Sequence, residues 1–105
     1  MIPYWELFFA LMKLLGMKVL EEFRLNHADI RDQLDAWIAE VFEAEWKTPQ
    51  DIKDRYARAS FLAGNCVVFN LKGNSYRLDV KVNYKNQIVL VRRIGTHKEY
   101  DTWTF

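Results

Sequence analysis

A single cysteine, Cys66, leaves the 105-residue chain without an internal disulfide, so nothing in it points to an oxidising compartment. Cys66 stands in an apolar run and reads as a buried strand thiol rather than a nucleophile. Only two histidines are present, His27 and His97, far apart in the sequence. With one cysteine they form no metal-ligand spacing, and neither zinc nor any other cofactor is expected. There is no P-loop or zinc signature and no helix-turn-helix pattern for direct DNA reading. No pair of carboxylates is marked as converging on a cleft, which argues against glycosidase-type chemistry. No membrane span is expected either. The apolar opening stretch MIPYWELFFALMKLLG is too short and contains Glu6 and Lys13. It also lacks the basic start and the small-residue cleavage site of a signal peptide.

What the chain has is apolar and aromatic mass. Half of its residues are hydrophobic, with four Trp, five Tyr and seven Phe. That is enough for the core of one domain, and the aromatic load suits either an exposed protein-binding or base-stacking surface or core packing alone. The net charge of +1 conceals a split. Residues 1–50 hold five Lys/Arg against nine Asp/Glu, a net of −4, whereas residues 51–105 hold ten against five, a net of +5. Such a division suits a second half that faces a polyanion.

The spacing predicts a helix from about Pro3 to Gly16, with Leu7, Leu11, Leu14 and Leu15 near one face. Residues 1–16 read as an apolar N-terminal extension ahead of a domain over 17–105, and Met17 is a candidate natural start. The clearest helix spans residues 28–46. Ile30, Leu34, Trp37, Ile38, Val41 and Phe42 recur at three- and four-residue steps, Asn26 is a candidate cap, and Asp32, Asp35, Glu40 and Glu43 fall outward. Thr48-Pro49-Gln50-Asp51 opens a short helix to about Tyr56 with a capping-box pattern, among Lys47, Lys53, Arg55 and Arg58.

From Ser60 the period becomes that of strands. Residues 66–71 form one, and Lys72-Gly73-Asn74 is a tight connection. Residues 75–84 alternate: Tyr76, Leu78, Val80, Val82 and Tyr84 face one way, and Ser75, Arg77, Asp79, Lys81 and Asn83 the other. After a turn at Lys85-Asn86-Gln87, residues 88–94 form a third strand. The fold class is α+β, an antiparallel meander with helices over its apolar face. Thr96 caps a final helical turn with Glu99 at its third position.

Arg77, Asp79 and Lys81 share the polar face. Arg92 and Arg93 leave their strand on opposite faces unless a bulge intervenes, so one of them points toward Arg77. His97 and Tyr100, three apart, project to one side at the end of that strand. These residue types suit cleavage of an RNA phosphodiester by its own 2′-oxygen. His97 exchanges protons near neutrality, and Arg77 offers a bidentate fork to the phosphate. Lys72, Lys81 or Arg93 adds positive potential, and Tyr100 orients or stacks on the nucleotide or assists proton transfer. Cross-strand ion pairs and a backbone-bonded histidine account for the same residues without chemistry.

The runs VVFNLKGNSYRLDVKVNY (67–84) and IGTHKEYDTW (94–103), with AEWKTPQDIKDRYARASFL (44–62) upstream, resemble the HigB family of toxins within the RelE-like messenger-RNA interferases. The resemblance spans roughly residues 17–103. It implies a RelE-like fold of two helices over a small antiparallel sheet, and a cytoplasmic, ribosome-dependent endonuclease acting on translated mRNA. It also implies neutralisation by a HigA-type helix-turn-helix antitoxin, through which alone operator DNA is contacted. The site residues it implies are Arg77 on the middle strand, Arg92 or Arg93 on the last strand, and the terminal pair His97 and Tyr100. With Lys72, Lys81, Arg92, Lys53 and Arg58 as RNA contacts, the expected catalytic set is Arg77, His97, Tyr100 and Arg93.

Overall fold

The computed structural model describes residues 12–105. Its elements in order are β1 (Lys13–Leu15), α1 (Met17–Asn26), α2 (Arg31–Glu43), α3 (Pro49–Arg55), β2 (Ser60–Leu62), β3 (Cys66–Leu71), β4 (Tyr76–Asn83), β5 (Ile88–Thr96) and α4 (His97–Tyr100). The five strands form one sheet in the order β1-β5-β4-β3-β2. The pairs β2–β3, β3–β4 and β4–β5 are antiparallel, but β1 runs parallel to β5. The fold is therefore α+β with a mixed sheet, not the purely antiparallel one expected.

The helix expected up to Gly16 does not include residues 13–15, which are strand; its earlier part lies outside the described residues. Leu14 enters the core while Lys13 and Leu15 remain exposed, the two-residue period of an extended segment. Gly16 makes the sharp change into α1 at φ +86°, where a Cβ would lie 2.5 Å from the Val91 carbonyl oxygen. Only glycine satisfies both demands.

The second helix starts later than its apolar period suggests. A 3-10 turn at Ala28–Ile30 leads into Arg31. Asn26 does not cap it; its amide donates to the Glu22 carbonyl at 3.3 Å and closes α1. The apolar period was sound at Ile30, Leu34, Trp37 and Val41, all buried, whereas Phe42 stays exposed. Trp37 meets Phe69 of β3 edge to face at 5.4 Å, which seats α2 on the sheet. At α3 the capping box between Thr48 and Asp51 forms, with Pro49 at the first position. Ile52 anchors that helix in the core, and Tyr56 packs on Phe69 and donates to Glu40 of α2. Burial and the neighbouring Glu40 carboxylate push the Tyr56 hydroxyl well above its usual range.

Helices α1, α2 and α3 thus cover the sheet face that carries Val67, Phe69, Leu71, Tyr76, Leu78, Val80 and Val82. The other face is left to β-strand polar residues, α4 and the C-terminal segment.

Candidate functional site

Register fixes what shares the uncovered face. Arg77 of β4 pairs with Asn70 and Gly95, Asp79 with Val68 and Arg93, and Lys81 with Cys66 and Leu90. The expected alternation holds, but the expected exposure does not. Lys81 is open, whereas Arg77 is 8 % exposed and Asp79 fully buried.

Arg77 is covered because α4 folds back over it. Thr96 caps that helix by accepting from the Glu99 N–H at 3.2 Å, and the Glu99 carboxylate accepts from the Thr96 N–H at 3.1 Å, a complete capping box. The His97 N–H donates to the Ser75 carbonyl at 2.9 Å and ties the turn to the start of β4. Tyr100 then lies over Arg77, its ring 5.3 Å from the guanidinium carbon. Nη1 of Arg77 donates to the carbonyls of Asn74 (2.9 Å) and Tyr76 (3.3 Å). Gly95 permits this closeness: a Cβ there would sit 3.0 Å from Trp103 and 3.2 Å from Glu99.

His97 is the accessible member, with a side chain 53 % exposed and Nε2 3.8 Å from the Asp101 carboxylate. Its ring centre is 6.4 Å from that of Tyr100. The structure therefore brings Arg77, Tyr100 and His97 together.

The two last-strand arginines are not separated by the sheet. The register slips between Asp79 and Val80, so that Asp79 faces Arg93 while Val80 faces Val91, leaving Arg92 as the extra residue of a bulge. Both arginines reach Asp79 on the uncovered face: Nε of Arg93 at 2.9 Å and Nε of Arg92 at 3.8 Å from Oδ2. Arg92 also donates through Nη1 to Cys66 Sγ at 2.9 Å, which accounts for the thiol as a structural partner. Arg93 donates through Nη2 to the Thr104 carbonyl at 2.9 Å, and its guanidinium lies 4.7 Å from the Trp103 ring and 4.8 Å from that of Phe105.

The remaining cations disperse. Nζ of Lys72 is bound to Asp29 at 2.9 Å, in the same carboxylate that accepts from Tyr76 of the helix-covered face. Lys53 lies exposed on α3 and Arg58 exposed in the connection to β2. Neither is on the face that holds Arg77.

Sequence reasoning gave no role to Asp79, Trp103, Thr104 or Phe105. The aromatic character of the C-terminal residues was a signal in hand, since aromatic rings and guanidinium groups pair readily. The gathering of two adjacent arginines had no signal, because a bulge leaves no mark in an alternation of polar residues.

No individual curated protein matches the chain. The family model described as HigB_toxin, RelE-like toxic component of a toxin-antitoxin system, matches residues 30–103, from the end of the 3-10 turn before α2 to Trp103, and the chain belongs to that family.

Proposed function

We infer that the protein is an endoribonuclease that cuts messenger RNA during translation on the ribosome, without a metal, and that a HigA-type antitoxin holds it inactive. The observation that carries this reading is the stacking of Tyr100 on Arg77 at the turn that also presents His97. A phosphate-binding cation, a proton-exchanging ring and an aromatic phenol thereby share one face.

The ribose 2′-oxygen attacks the adjacent phosphorus, forms a new P–O bond and expels the 5′-oxygen, leaving a cyclic phosphate. One proton leaves the 2′-oxygen and one reaches the 5′-oxygen. An imidazole is a suitable group for proton transfer near neutrality, and that of His97 is accessible. Arg77 and Arg93 stabilise the charge that accumulates on the phosphorane. Tyr100 positions the nucleotide by stacking or joins the proton transfer. Lys81 and Arg92 extend the cationic track on the same face, and Lys53, Arg58 and Lys72 supply potential from the periphery. A site of so few groups gains from the ribosome, which holds the mRNA in a reactive geometry. On this reading the protein works in the cytoplasm, and operator DNA is reached only through the helix-turn-helix of the antitoxin.

The test is cleavage of a defined mRNA in a purified translation system, with and without ribosomes, mapped by primer extension. Discrete cuts that need translation, and that fall by about 100-fold or more in Arg77→Ala and His97→Ala, are expected. Full cutting by a folded Arg77→Ala variant would count against this site. A second reading, a non-catalytic RNA- or ribosome-binding module, draws on the fact that Nη1 of Arg77 already has two carbonyl partners. It gives blocked translation with intact mRNA.

A further inference from the structure

Asp79 is an acidic side chain with no exposure, in the middle of a central strand. Its Oδ1 has no hydrogen-bond partner, while Oδ2 accepts from Nε of Arg93 at 2.9 Å. A carboxylate buried in this way costs more than an apolar side chain of similar volume would. Its cross-strand neighbour Val68 is itself buried, so packing alone calls for no charge here.

We propose that Asp79 is a positioning residue that aims the guanidinium of Arg93 at the scissile phosphate. A carboxylate on Nε fixes the plane of the guanidinium and leaves both Nη groups to other acceptors. Thr104 takes Nη2, and Nη1 has no partner among the described residues. The bulge completes the device. It keeps Arg92 on the face of Arg93, with Nε 3.8 Å from the same Oδ2, where strict alternation would send one arginine through to the helices. Two adjacent cations then share one buried carboxylate, which leaves surplus positive charge on this face for a phosphate.

This assignment rests on the endonuclease reading. It is tested by single-turnover cleavage on programmed ribosomes with the full chain as wild type, Asp79→Asn, Arg93→Ala and the double variant, with thermal melting of each. Asp79→Asn is expected to melt as a folded protein and to cut about 100-fold more slowly, the scale of a loss of alignment, with half-saturation by ribosomes little changed. In the Arg93→Ala background the Asp79 change is expected to add nothing further, because its effect passes through Arg93. Where Asp79→Asn does not fold, Asp79→Leu removes the charge with an apolar side chain in its place and enters the same cycle. Penalties that multiply in the double variant, or unslowed cutting by a folded Asp79 variant, overturn the positioning role alone. A wild-type chain that never cuts overturns the endonuclease reading and this assignment with it.

Discussion

Asp29 joins two layers through one carboxylate. Lys72 at the β3–β4 turn donates to it at 2.9 Å, and the Tyr76 hydroxyl does the same at 2.9 Å. These donors, Lys72 foremost and Tyr76 next, hold its carboxyl below the usual range. The Tyr76 hydroxyl is pushed up in turn, by burial first and by Asp29 second. A carboxyl whose folded pKa is depressed contributes stability above its unfolded pKa, about 3.9, and loses that contribution as pH falls through the folded value. Urea melts across this range should show Asp29→Asn weaker than wild type at neutral pH, with the gap closing below about pH 4. A gap that stays constant into acid would mean that the charge of Asp29 does nothing for the fold. The pair is exposed and the effect small, so Lys72 is an example of a cation whose sequence position near the site says little about where its charge is held.

At the scale of elements, legibility followed the source of each element's stability. Strands β3 and β4 and the two capping boxes were readable because their signals are local: an alternation, or a hydroxyl three residues before a carboxylate. Helix α1 went unread, since Leu20 is its only fully buried residue and Gly16 supplies no capping side chain. β1 carries a helical signal in the sequence, because Lys13-Leu14-Leu15 is composed of good helix formers and its extended form depends on a partner some 75 residues later, Ile88 to Leu90. The pairing of β1 with β5 matters for any chain that begins at Met17. Such a variant loses Met12, 2 % exposed, and Leu14, 8 % exposed, from the core. At roughly 1.5–3 kcal/mol for each buried side chain, that is a large part of a typical stability of about 5–15 kcal/mol. It also uncovers β5 as an edge strand open to intermolecular pairing. Denaturant melts should show the loss, and gel filtration should show association. A monomer as stable as the full chain would mean that β1 is dispensable.

The described residues separate their charge by layer, and this is only half visible in the sequence. The split between chain halves was plain, but halves are not faces. Within residues 17–43, which build α1 and α2, three Lys/Arg stand against seven Asp/Glu, so the part of the helical layer that these two form is acidic. Lys72, from the basic half, is drawn to that layer by Asp29, whereas Lys81 stands on the uncovered face with Arg77 and Arg93. A polyanion approaching this field is turned toward the uncovered face. Each phosphate neutralised on a single strand releases counterions and adds about 0.7 to the slope of log affinity against log salt. Binding of a short 2′-deoxy single strand, which the proposed chemistry cannot cut, should therefore weaken with salt in wild type. Lys81→Ala should flatten the slope by about 0.7, and Lys72→Ala should leave it nearly unchanged. Equal flattening by both variants would show that the strand passes around the β3–β4 turn as well as across the sheet, and would return Lys72 to the binding track.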